Sequence, residues 1–236
     1  ILSSFNIENF ENSVGTIIYL PKLKRNVTTN TISALEKLLS HRFSITTIMN
    51  DGNFIVSIYT NDGKIDIDLK QHFYDNDIEY LHYFGYNQEE ITERFPNLTD
   101  QYLVKEEDFK SSKGWIGSVS IPSSLIVDDA TALKGVCVYI NGKLVDEDIL
   151  KSVKKDRISD TYIVGEIDAD YLGKLNEDVV LSSREGLFLD NEHVLEIKKY
   201  LEEVRKNLVA NWDEMRKNRP VEKQDYLQKI LSKPEN

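Results

Sequence analysis

The run LSSREGLFLDN at 181–191 sets one guanidinium, Arg184, between two serines and Glu185, just before a long helical pattern. An arginine at such a junction has two chemistries open to it. Its fork of donors can hold a carboxylate, here Glu185 or Asp190, and do no more than brace the start of a helix. The same fork can hold two phosphate oxygens. Residue types alone leave both readings open. Elsewhere the side chains able to do chemistry are dispersed. His41, His72, His82 and His193 lack metal-ligand spacing and read as surface or half-buried histidines. The acidic run DNDIE at 75–79 opens like a calcium loop. It lacks the glycine and the distant glutamate such a loop needs, so it reads as a solvated face. The sequence contains no Gly-x-Ser-x-Gly elbow, no Walker loop and no Gly-x-Gly-x-x-Gly after a strand, and GWIGSVS falls on a predicted strand. Cys137 is the one cysteine, which excludes an internal disulfide. Its setting, GVCVYI, predicts a small buried hydrophobe. The residues on their own compose no complete active site.

The 236-residue chain is 40% hydrophobic and 29% charged, enough apolar material for a sizeable core. No apolar run is long enough for a membrane helix, and no leader for export is visible, so the expectation is a cytoplasmic protein with no membrane partner. The first residue, Ile1, suggests an excised piece. The net charge of −11 repels phosphate backbones and makes nucleic acid an unexpected partner for the chain as a whole. Local basic candidates are KLKR at 22–25 and the group Lys151, Lys154, Lys155 and Arg157.

Hydropathy patterning places the elements around these residues. GTIIYL predicts a strand over 16–20, ended by Pro21. Ile32, Leu35, Leu38 and Leu39 predict a helix capped by a Thr or Asn at 28–31. Alternation at Phe54, Val56 and Ile58, then at Ile65, Ile67 and Leu69, predicts a hairpin turning at Asn61-Asp62-Gly63. Residues 71–112 read as an insertion with a short helix or two, packed by Tyr80, Tyr83, Phe84 and Tyr86. GWIGSVSIP, the pair flanking Asn141-Gly142, and DTYIVGEIDAD read as strands, and DILKSVKK as a short helix. From Glu192 the apolar positions Val194, Ile197, Leu201, Val204, Leu208 and Met215 form one stripe, interrupted at Asn211, and Pro220 ends the helix. That stripe must pack on the chain's own core, on another domain or on a second copy. The fold expected is α+β: a mixed or antiparallel sheet with helices on one face, plus a long C-terminal helix. The domain division is 1–25 as a leading strand or tail, 26–190 as the α/β domain and 191–236 as a helical segment.

This order of elements resembles GHKL ATPases, the superfamily of gyrase, the ninety-kilodalton heat-shock chaperone, histidine kinases and MutL. The likeness covers most of the chain as an order of elements and is sharp at Gly15-Thr16, at Ser183-Arg184-Glu185 and at 205–209. It implies the end of an ATP-binding domain followed by a ribosomal-protein-like transducer. It also implies that Arg184 reaches the γ-phosphate of ATP held upstream with magnesium. The adenine- and magnesium-binding motifs of that superfamily are absent from this chain. The implied function is therefore coupling of ATP state in an upstream domain to movement, in a chaperone-like ATPase with a protein client and a homodimer as further partners. The competing expectation is a protein-interaction module without nucleotide dependence, presenting the aromatic stretch and the helical stripe.

Overall fold

The computed structural model describes residues 28–44, 55–60, 63–67, 72–128, 131–153, 158–181 and 186–218, together with Ile18. Three α-helices and eight strands are among them. They are α1 (Thr29–His41), β1 (Val56–Thr60), β2 (Gly63–Ile67), β3 (Ile78–Phe84), α2 (Gln88–Arg94), β4 (Leu103–Lys105), β5 (Lys113–Val119), β6 (Gly135–Ile140), β7 (Lys143–Asp146), β8 (Ile163–Asp168) and α3 (Glu192–Asn218). The fold is α+β. Six strands form a mixed sheet in the order β4-β3-β5-β8-β6-β7, with parallel pairs β3/β4 and β6/β8 and antiparallel pairs elsewhere. None of the described helices is long and apolar enough to cross a membrane.

Local chemistry explains most element ends. Thr28 and Thr31 close a reciprocal capping box at the start of α1. Asn87 and Glu90 do the same for the seven-residue α2. Ile140 pairs with Lys143, and the two residues between them, Asn141 and Gly142, have φ of 50° and 71°. Positive φ at both is the type I′ geometry for which Asn-Gly is suited. The β1–β2 hairpin forms with Thr60 opposite Gly63, so Gly63 belongs to β2, and Asn61 and Asp62 of the expected turn lie outside the described residues. The strand expected at 16–20 lies outside the described residues apart from Ile18. In the expected helix at 148–155, residues 149–153 make turns, and 154–155 lie outside the described residues.

The sheet is apolar on both sides, and helices cover both sides. The mixed sheet and the long C-terminal helix are as expected, with α2 on one face and α3 on the other. Tyr80, Phe84, Ile116, Ile163 and Ile167 point to the side where α3 lays down Val194, Ile197, Leu201, Val204 and Leu208. Leu81, Tyr83, Trp115 and Val164 point to the other, where Ile91 of α2 meets Tyr74, Phe95 and Leu125. All seven residues of β3 are buried. The stretch 71–112, expected as an insertion, thus supplies two strands of the main sheet, and its expected aromatics Tyr80, Tyr83, Phe84 and Tyr86 are core residues.

The α3 stripe is consumed by the chain's own core: Leu201 and Leu208 are 0% and 1% exposed. A homodimer would therefore have to use a different face. The helix continues its stripe past the polar Asn211 by one residue, burying Trp212. α1 and the β1–β2 hairpin make a smaller cluster of Ile67 with Leu39, Phe43, Val56 and Ile58. The chain leaving α1 runs beside β7, with Ser44 donating to the Gly142 carbonyl and Leu144 to that of Arg42.

Candidate functional site

Cross-strand register places three chemically capable residues in one row on the sheet face opposite α3. Trp115 of β5 lies opposite Glu166 of β8, and Cys137 of β6 lies on the other side of Glu166. Period-two alternation turns all three to the same side. Three segments close over this row. The last residue of α2, Arg94, donates to both oxygens of Asp75 at 3.2 and 3.5 Å and to Glu166. Its guanidinium also stacks on the Trp115 ring, 5.2 Å from the centroid. His72 sits with Nδ1 2.9 Å from the Tyr74 hydroxyl and 3.5 Å from Glu166 Oε2. The last residue of α1, His41, has Nε2 3.2 Å from Cys137 Sγ, and its carbonyl accepts from the Tyr139 hydroxyl at 2.7 Å.

Electrostatics follow from burial. Taking the ring out of water holds His41 far below the usual histidine range, at about 3, and the neighbouring His72 pushes the same way. Burial also lowers His72, against the pull of Glu166 and Asp75. For Glu166, burial alone would raise the carboxyl. The Arg94 guanidinium beside it, helped by His72 when that ring is charged, overrides that and holds it at about 2. Burial pushes the Cys137 thiol well up, and the carboxylates around it add to the effect. At neutral pH the cluster is therefore an Arg94 cation held between two carboxylates, beside two neutral imidazoles and a protonated thiol. That arrangement suits fixing three segments to a sheet. It offers no activated nucleophile, because the thiolate is the reactive form and it is disfavoured here. Cys137 is expected to resist an aromatic disulfide reagent in the native protein over the time in which the urea-unfolded chain is labelled completely. Rapid native labelling would show that the cluster opens to solvent.

A second polar set lies on the α3 side. The β3–β5 register shifts between Ile78 and Tyr80, leaving Glu79 at a bulge. A bulge re-aims a side chain, and Glu79 accepts from Trp212 Nε1 at 3.1 Å and from Arg216 at 2.8 and 3.0 Å. Nearby, His82 Nδ1 is 2.6 Å from Glu106, whose carboxylate also accepts from Asn207.

The residues singled out in the sequence fare unevenly. Arg184 lies outside the described residues. Its described flanks pair with each other, Leu181 donating to the Gly186 carbonyl and Val180 bridging Leu187. Of the basic candidates, Lys151 is described and exposed. His41, His72 and His82 are buried, not on the surface, because each finds a polar partner inside. DNDIE is no solvated face either: Asp75 and Glu79 are both 3% exposed, each neutralised by an arginine remote in sequence. Among the described residues, no group of three or more His, Cys, Asp or Glu side chains is placed to hold a metal ion.

No family model matches the chain, and no solved structure matches it. A curated protein does: "Putative type II restriction enzyme HgiDII" of Herpetosiphon aurantiacus is 27% identical over 230 residues. The match covers 94% of this chain and 36% of the relative, so the chain spans about a third of that protein's length. This overturns the resemblance to GHKL ATPases, chaperone and transducer included. That resemblance was sharp only in three short motifs, whereas this similarity runs through nearly the whole chain under a different name. The γ-phosphate role of Arg184, ATP, magnesium and the upstream ATP-binding domain had entered through the resemblance alone. This chain is thus similar to a protein named for restriction.

Proposed function

We propose that the chain is a region of a restriction-type enzyme, a protein that cleaves DNA, and that it serves there as a rigid framework. The observation carrying this reading is the similarity to the restriction-enzyme relative across 94% of the chain. The geometry supports the framework role. The carboxylates, imidazoles and thiol that the fold gathers are buried and mostly paired with one another, which suits holding segments in place and not meeting a phosphodiester. Neither a nucleotide-driven transducer nor a nucleotide-independent interaction module draws support from that relative. The expectation that nucleic acid is an improbable partner conflicts with a restriction-type reading of the intact protein, whose substrate would be DNA. The net charge of −11 then means that contacts to DNA phosphates fall to other parts of the intact protein or to a local patch.

The test is cleavage of supercoiled, unmethylated plasmid in magnesium buffer by the intact protein and, separately, by residues 1–236. The intact protein is expected to nick or linearise the plasmid and the 236-residue chain to leave it supercoiled. An intact, folded protein that leaves the DNA untouched would overturn the DNA-cleaving reading. Cutting by the 236-residue chain would overturn the framework role.

A further inference from the structure

The two halves of α3 are fastened to the sheet by different physics. From Glu192 to Val204 the helix buries Val194, Ile197, Leu201 and Val204 in the main core. Its side-chain polar contacts to other segments there, Glu196 with Lys110, Lys198 with Ser152 and Tyr200 with the Glu107 carbonyl, are exposed. From Arg205 onward buried polar contacts take over. Arg205 pairs with Asp160, both buried. Asn207 donates to the Glu106 carboxylate at 3.2 Å, which also engages the buried His82. Trp212 and Arg216 converge on Glu79, and Arg216 also donates to the Ser120 carbonyl at 3.0 Å. Leu208 and Trp212 are the buried apolar side chains in this half, with Val209 and Met215 partly buried against the core.

Apolar contacts and charged contacts respond differently when a helix lifts. Lifting the first half exposes hydrocarbon, which water opposes in proportion to area. Lifting the second half returns Glu79, Asp160, Arg205 and Arg216 to water, and the hydration regained offsets much of the ion pairing lost. Salt helps further, because Arg216 is already 31% exposed and its attraction to Glu79 is partly screened. We infer that residues 205–218 of α3 are a latched segment, held by carboxylates from three other parts of the chain, that opens as one unit while residues 192–204 stay on the sheet. Opening uncovers Glu79, Tyr80 and His82 along β3 and Glu106 just after β4. This inference rests on contacts within the chain and not on the reading of function above.

Hydrogen exchange of the full chain tests it, comparing peptides from 192–204 and 205–218 at low salt and at about 1 M salt, where the Debye length is ~3 Å. Residues 205–218 are expected to exchange together, faster than 192–204, and faster still in high salt. Glu79→Gln should speed exchange of 205–218 by about 10-fold or more, the worth of one charged hydrogen-bonded contact, without moving 192–204. Asn207→Ala, at an exposed position, should act the same way more weakly and serves if Glu79→Gln does not fold. Equal exchange in both halves, insensitive to salt and moved equally by either substitution, would overturn the inference.

Discussion

Arg94→Ala is expected to lower the unfolding free energy by about 3–5 kcal/mol, the range seen when one partner of a buried ion pair is removed. Arg94 has two partners. Its side chain is 8% exposed and those of Asp75 and Glu166 are 0% and 2%, so truncation leaves two buried carboxylates without the guanidinium that pairs them. The guanidinium is also packing material, lying over the rings of Phe95 and Trp115 at 5.0 and 5.2 Å. Arg94→Lys should recover little. An ammonium is a point charge without a fork, and holding Asp75 and Glu166 together requires donors at both ends of a plane. The informative variant removes every charge at once: Arg94→Met with Asp75→Asn and Glu166→Gln should be more stable than Arg94→Ala alone, because the penalty lies in the uncompensated carboxylates. Urea unfolding followed by tryptophan fluorescence reads all of these, since Trp115 sits in the cluster. A midpoint for Arg94→Ala within error of the parent would mean that the carboxylates find other partners, and the cluster would lose its standing as the fastener of this face.

That cluster could not be read in the sequence, and the reason is physical. Periodicity reports which face of an element is apolar, so α3 and the hairpin are visible from spacing, and Asn141-Gly142 announces its own turn. A buried ion pair has no period. Asp75 lies 19 residues from Arg94, and Glu166 lies 72 from it. Each looks like one more charged residue in a chain where 29% are charged. Only strand register brings them together. The bulge at Glu79 is hidden for the same reason, since one extra residue turns an acidic side chain inward without altering the local pattern. His41 gives a faint signal, closing an amphipathic helix just ahead of Phe43. The resemblance failed differently. Short matches such as Ser183-Arg184-Glu185 constrain little, whereas similarity spread over 230 residues constrains the whole chain. The stretch 71–112 reads as an insertion because β3 is buried on both faces and so does not alternate.

The same buried groups predict that the protein is labile to mild acid. The histidine sign comes first. His41 ordinarily titrates near 6.5, and burial among His72, Glu166, Arg42 and Cys137 holds it at about 3. Below about pH 6.5 the unfolded chain therefore takes up a proton that the folded chain refuses. Stability is fully present above that pH and falls as pH drops toward 3, by about 1.4 kcal/mol per pH unit for one such group. His72 is displaced in the same direction, so where both titrate only in the unfolded chain the slope doubles. Glu166 adds its share lower down. Its folded value of about 2 lies below the ordinary 4.5, so its contribution is present above 4.5 and is lost as pH falls toward 2. Over its whole range His41 alone is worth on the order of 5 kcal/mol, comparable to the lower end of total stability for a domain. Surface carboxylates push the other way, because protonating them relieves the repulsion of a chain at −11. A fall in stability between about pH 7 and pH 5 thus identifies the buried imidazoles. Urea midpoints across that interval should decline steadily, and His41→Gln should flatten the decline by about a third, because burial displaces His72 and His82 in the same direction, while lowering stability at pH 7. A flat profile over the interval would mean that water reaches His41 and His72, and the closed polar core described here would have to be redrawn as an open one.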